Sequence, residues 1–266
     1  ITGTLTLTGT LTFGDTNTSY SGVVNGGAIE AKGDIATATA GKSGTTTVKV
    51  SGSSNQTITG VSTAPLPNLE IASTGGTVTL VGTIRTVSSA TLDGFYRYTS
   101  GVVDAGTSTL QFTGGGTGSN QTFIPGSITY YNVHFGGSRL STTVTGTLTL
   151  VGTLTLADTD TSYSGTVNGG TIEAKGNVVS STAGKYGSTL IKVSGSTDQT
   201  VTGVTAAFIP VIEIASTGGT VFLSGTVRIY KDFTYTSGTV DAGTSSLHFT
   251  SSSISNTVTP GTVNYN

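Results

Sequence analysis

The chain opens on strict alternation of apolar and polar residues. In Thr4-Leu-Thr-Leu-Thr and Thr10-Leu-Thr-Phe13 every second residue is apolar, which places Leu5, Leu7, Leu11 and Phe13 on one face of extended backbone. Gly9 falls on the same parity, so a bend there leaves the buried face unchanged. The alternation continues in Gly27-Ala-Ile-Glu-Ala-Lys32, Thr46-Thr-Val-Lys-Val50, Gln56-Thr-Ile-Thr59, Asn68-Leu-Glu-Ile71, Thr77-Val-Thr-Leu80 and Ser108-Thr-Leu-Gln-Phe112. Gly, Ser, Asn or Asp punctuates each segment, and nowhere does a 3.6-residue apolar period persist over three turns. The pattern predicts an all-β protein built from short strands.

The pattern also repeats. Thr2-Gly-Thr-Leu-Thr-Leu-Thr-Gly-Thr-Leu-Thr-Phe13 returns as Thr145-Gly-Thr-Leu-Thr-Leu-Val-Gly-Thr-Leu-Thr-Leu156. Residues 1–84 set against 144–227, an offset of 143, agree at 56 of 84 positions. Copy one then carries six extra residues around Thr86–Leu92, after which Gly101-Val-Val-Asp-Ala-Gly106 pairs with Gly238-Thr-Val-Asp-Ala-Gly243. Tyr130-Tyr-Asn132 answers Asn264-Tyr-Asn266. The expected division is residues 1–143 as copy one and 144–266 as an incomplete copy two, continuous with it, and the cut points suggest an excerpt from a longer array.

Short strands with tight turns suit a pair of tandem β-sandwiches or a solenoid. Sub-segments begin about every 20 to 24 residues, strand density is constant, and no Pro/Ser linker separates the copies. These features favour a parallel β-solenoid of about 12 rungs, six or seven per copy, advancing about 30 Å per copy at ~4.8 Å per rung. The two-sandwich arrangement is the alternative.

Composition narrows the function classes. Charged residues make up 9% of the chain and the formal net charge is −2, so no basic surface is offered to nucleic acid or anionic membrane. With no Cys, disulfide frameworks, thiolate catalysis and Cys-type zinc sites are excluded. No apolar run is long enough for a membrane-spanning helix, and an export signal would have to lie upstream of Ile1.

Tyr20-Ser-Gly-Val-Val-Asn-Gly-Gly27, Val50-Ser-Gly-Ser-Ser-Asn-Gln-Thr-Ile-Thr-Gly60, Pro67-Asn-Leu-Glu-Ile71 and Thr99-Ser-Gly-Val-Val-Asp-Ala-Gly106, with their second copies, have the texture of large secreted bacterial surface proteins. The chain resembles the filamentous-haemagglutinin-like and autotransporter-passenger-like β-helix adhesins. That resemblance implies a right-handed parallel β-helix outside the cell with a structural or adhesive role, and it carries over no binding residue.

Candidate chemistry is sparse. Asp15-Thr-Asn17 and Asp158-Thr-Asp160 set oxygen ligands at alternate positions, as calcium loops do, but lack the Gly and the distal bidentate Glu of an EF-hand. The same residues suit polar turns. Sequons occur at Asn17, Asn55 and Asn120, although Asn at such places also builds turn ladders. The acids Glu30, Asp34, Glu70, Asp93 and Asp104 are scattered, whereas polysaccharide hydrolysis needs clustered carboxylates. His134 and His248 do not correspond between copies. Thr4-x-Thr6 and Thr10-x-Thr12 have the ice-binding doublet but fall within one rung, and the tyrosines suit core packing better than sugar stacking. The expectation is a non-enzymatic, cofactor-free extracellular stalk, fibre or filament whose partners are further copies of itself end to end. A carbohydrate-binding adhesin module reading surface glycans is the alternative, and a polysaccharide-degrading enzyme the lesser one.

Overall fold

A computed structural model of the chain describes residues 1–15, 22–89, 93–115, 118–158, 165–250 and 256–261. Among these residues there is no helix, and every strand pairing is parallel. The strands wind into a β-solenoid of about 11 turns. Leu5, Ile29, Val48, Ile71 and Leu80, which two sandwiches would have placed in antiparallel hairpins, instead sit in parallel ladders. The count is slightly below the expected 12 because two turns are long. Leu69 pairs with Tyr96 and Tyr96 with Phe123, 27 residues apart in each case. The first of these turns holds the insertion, which extends the strand Asn68–Ser89.

Each turn crosses three faces. On the first, Leu5 stacks in turn under Ile29, Val48, Leu69, Tyr96, Phe123 and Val144. The second begins with Leu11, Ile35, Ile58 and Leu80. The third carries Ile84, Leu110, Val133, Leu154, Val178, Val201 and Leu223. Alternation decides which way each residue points: in Thr47–Val50 and Leu190–Val193 the valines and isoleucine are buried while the lysines face outward. One core runs the length of the stack and crosses residue 143 without interruption, since Val133 pairs with Leu154 and Tyr130 with Leu150.

The two copies do not occupy the same faces. Leu148, Ile172, Ile191, Ile212 and Phe233 are the counterparts of Leu5, Ile29, Val48, Leu69 and Tyr96, yet their ladder lies on the second face, above Tyr130. Likewise Leu154, Val178, Val201 and Leu223 on the third face match Leu11, Ile35, Ile58 and Leu80 on the second. From Leu5 the chain makes six full turns to Val144 and then reaches Leu148 one face further on. The repeat therefore spans six turns and a third.

Corners are fixed by polar side chains that reach the next rung. Asn25, Asp34, Asn55, Asn132, Asn177, Asp198 and Asp232 each accept, through Oδ1, a backbone N–H one turn later, at 2.7–3.1 Å. Buried Gln56 and Gln199 close another corner; in Gln56 the Nε2 donates to the carbonyls of Ala31 (3.0 Å) and Gly33 (2.6 Å), and Oε1 accepts from Gly52 N–H (2.8 Å). At Gly82 and Gly225, both with φ +73°, a Cβ would collide with the Gly60 or Gly203 carbonyl oxygen of the rung beneath.

Because Leu148 is fully buried and Leu5, its sequence twin, is 46% exposed, identical substitutions should have different costs. Leu148→Ala is expected to destabilise by about 2–5 kcal/mol and Leu5→Ala by under about 1 kcal/mol. Urea unfolding of the two variants measures the difference.

Candidate functional site

A charged pair recurs in both copies, where the third face turns into the first in copy two and where the second turns into the third in copy one. Asp158 follows the strand Leu154–Ala157, and Lys185 opens the strand Lys185–Gly187 one turn higher. Lys185 Nζ donates to Asp158 Oδ2 at 3.1 Å and, one corner further down, to the Gly137 carbonyl at 2.8 Å and the Gly136 carbonyl at 3.5 Å. Asp158 Oδ2 also accepts from Gly165 N–H at 2.8 Å. The ammonium thus staples three successive corners from inside, and both side chains are sealed from solvent, at 1% and 0% exposure. In copy one the counterpart pair is Lys42 Nζ to Asp15 Oδ2 at 2.5 Å, with 24% and 23% exposure. No earlier corner lies beneath it among the described residues.

Burial pushes the Lys185 amine below its ordinary range, and the attraction and hydrogen bond of Asp158 only partly offset this. His134, on the outer side of the third face, has Nδ1 3.1 Å from Gln111 Nε2, while its Nε2 is buried without a hydrogen-bond partner. Burial, followed by the Lys185 charge, holds its pKa below the usual imidazole value. Chemically the cluster is an internal cation site whose cation is the lysine itself, closed to any substrate.

The expected site residues are placed as follows. Asp15 and Asp158, the first oxygens of the two candidate calcium loops, face lysine ammonium groups, so a calcium ion at either carboxylate would compete with the cation already there. Asn17 and Asp160 lie outside the described residues. Among the described residues no group of three or more His, Asp or Glu side chains could hold a metal. Asn55 is exposed at a corner, its Oδ1 taken by Thr77 N–H at 3.0 Å, and Asp198 makes the same bond to Thr220 N–H at 2.8 Å in copy two. The acceptor oxygen is what both residues share. Asn120 is exposed at the start of Asn120–Ile124 and donates to the Gly118 carbonyl and Asp93 Oδ1.

The scattered acids remain apart in space, each with a structural partner. Glu30 faces Lys49 at 3.8 Å, Asp34 accepts Thr57 N–H, and Asp104 accepts Gly106 N–H. Glu70 receives Arg97 at 2.7 Å and Thr99 at 2.9 Å. Partial burial alone would raise the Glu70 pKa, but these hydrogen bonds, with the Arg97 and Lys49 charges, bring it below the usual carboxylate range. The ladder Thr6, Glu30, Lys49, Glu70, Arg97 breaks up any flat threonine array of the ice-binding kind. Tyr96 and Tyr130 are core residues, joined hydroxyl to hydroxyl at 3.3 Å and packed with Phe112, Phe123 and Phe135.

Sequence reasoning passed over Lys185 and Lys42. The available signal was joint recurrence: Gly-Lys and the Asp 27 residues before it appear together in both copies. Compared with protein-family models, with curated proteins and with solved structures, the chain matches none.

Lys185→Met leaves Asp158 buried without its cation and is expected to cost about 3–5 kcal/mol, against about 1 kcal/mol for Lys42→Met; chemical denaturation compares them. Because the folded His134 pKa lies below the unfolded value of 6.5, the unfolded chain takes up that proton first. Stability should therefore fall as pH drops below about 6.5, with the penalty complete only below the folded pKa. His134→Gln should remove this part of the pH profile, as read by melting at a series of pH values.

Proposed function

We propose that this chain is a non-catalytic, extracellular structural repeat protein forming part of a stiff stalk, fibre or filament, with further copies of itself as partners end to end. The observation that carries the proposal is the core running through the copy boundary without a hinge, from Phe123 and Val133 into Val144 and Leu154. A rod whose strands pair rung on rung resists bending because any bend must open backbone hydrogen bonds on one side. The outward positions support the same reading. They are largely hydroxyls, and Glu30, Glu70 and Asp104 are engaged in ion pairs, a threonine hydrogen bond and a corner turn. Secretion and the cell surface come from the resemblance in texture to secreted adhesins.

One observation favours a second reading, a carbohydrate-binding module. Along copy two, a cleft of about 690 Å³ follows a corner, lined by Glu173, Lys175, Lys192, Ser194, Thr217 and Thr236. Its many hydroxyls, beside one carboxylate and two ammonium groups, suit a hydroxyl-rich glycan chain lying along the rod.

Small-angle scattering should give a rod about 50 Å long from about 11 turns at ~4.8 Å each. Negative-stain images at high concentration should show longer rods of the same width. Compact separate particles at every concentration would count against assembly, and turnover of a glycan substrate that is lost on mutating its acids would end the non-catalytic reading. A saturable hit on a glycan array, weakened by Glu173→Gln with Lys192→Gln, would favour the second.

A further inference from the structure

We infer that a long turn of copy one carries a pocket for a single neutral hexose, packed against Phe95 and hydrogen-bonded by Asp93 and Arg97. The pocket opens on the outer side of the first face, where the strand Gly94–Asp104 alternates inward Tyr96 with half-buried Phe95 and Arg97. Its volume is about 260 Å³, and its walls are Asp93, Gly94, Phe95, Arg97, Thr122 and Ile124. It shares no residue with the copy-two cleft and needs no assembly of the rod.

Copy two shows what the rod needs at this place, and it is a different set of residues. The residue before the core aromatic is Phe95 in copy one and Asp232 in copy two, where Asp232 fastens a corner by accepting Thr257 N–H at 2.8 Å. Phe95 N–H is itself held by Asn68 Oδ1 at 2.9 Å, but a phenyl ring can accept nothing of the kind from the rung above. Arg97 pairs with Ile124, whereas copy two pairs Thr234 with Thr259. A carboxylate and two hydroxyls in one copy are thus an aromatic ring, a guanidinium and an aliphatic side chain in the other. The six extra residues of copy one, around Thr86–Leu92, directly precede Asp93 in the chain. Copy two closes its turn without any of these changes, so the rod does not require them, and a departure from the local rule with no structural gain marks a site.

The groups gathered here suit a pyranose ring. A hexose has an apolar C–H side that packs against an aromatic ring, and a rim of hydroxyls that pair with planar charged groups. Arg97 has its guanidinium carbon 5.1 Å from the Phe95 ring centre and its Nη2 on Glu70 Oε2 at 2.7 Å, so this donor group is fixed before any ligand arrives. Its Nε is buried and has no hydrogen-bond partner, a donor that the protein leaves unmet. Asp93 Oδ1 receives Asn120 Nδ2 at 3.4 Å, which leaves other acceptor sites of the carboxylate open to sugar hydroxyls. Because Glu70 meets the Arg97 charge, Asp93 is the charge left over, and it disfavours acidic sugars. Ligand sites usually enclose roughly 300–1,000 Å³. A pocket slightly below that range holds one ring and not a chain.

Saturation-transfer NMR on the full chain tests this with methyl glucoside, methyl galactoside and methyl mannoside, and with glucuronate as the acidic counterpart. At least one hexoside should receive saturation on its ring C–H protons, and glucuronate should receive less. Phe95→Tyr keeps an aromatic ring and should keep the signal. Phe95→Leu keeps the bulk without the ring and should lose it. Phe95→Asp with Arg97→Thr, which installs the residues that the fold accepts at the matching positions of copy two, should lose it as well. Glu173→Gln with Lys192→Gln, in the cleft, should change nothing. No saturation of any hexoside, or saturation that survives both ring-removing variants, overturns the pocket. A stronger signal from glucuronate overturns the neutral class. Loss of the signal in the cleft variant alone places the sugar in the cleft, which overturns this pocket and supports the second reading above.

Discussion

The structure depends on like stacking on like in parallel register: an aliphatic side chain in one rung sits directly above another one turn earlier, while the backbone between them is hydrogen-bonded along the axis. Neither half suffices alone. A single rung buries little by itself: Leu150, with Tyr130 below and Ala174 above, is fully buried, whereas Leu5, flanked on one side by Ile29, is 46% exposed. Pairing also locks the register, because a slip by one residue would turn Val48 and Val50 outward and bring Lys49 into the interior. Stability in such a chain is a sum over neighbouring rungs, and the weakest places are the ends.

A repeat of six turns and a third has a consequence for the sequence. A segment that forms the first face in copy one must form the second face in copy two, so the faces have to be nearly equivalent in length and in what they bury. The substitutions between copies follow that demand. Leu69 becomes Ile212 at constant volume, while Ile35 becomes Val178 and Ile58 becomes Val201 with the loss of one methylene each, all in positions of the same inward parity. Tyr96, Phe112, Phe123, Tyr130 and Phe135 pack together as an aromatic plug just before copy two begins.

The polar interior obeys the same stacking logic. A corner in a solenoid leaves backbone groups that no strand satisfies, and each is met by a side chain from a neighbouring rung: Asn or Asp oxygens for N–H groups, Gln56 and Gln199 for mixed sets, and the Lys185 ammonium for two glycine carbonyls. Of the sequence candidates, Asp34, Asn55 and Asp158 accept hydrogen bonds at corners, as Asp104 does within its own turn. Asn55 and Asp198 do the same work, which is why a sequon in one copy is absent from the other.

From the sequence alone, the alternation of residues 4–13 and its recurrence 143 positions later were enough to establish strands, their inward faces and the absence of a join between copies. Local pattern carries that information because burial has a period of two along any strand. What it could not carry was which strands lie above which. Successive turns take 19 to 27 residues, as in Ile29 to Val48 and Leu69 to Tyr96, so the rotation of copy two by one face emerges only when the turns are closed. The Lys185 staple was hidden for the same reason. Its partners Asp158 and Gly137 lie 27 and 48 residues away, and three corners far apart in the chain become one buried site only through the winding of the rod.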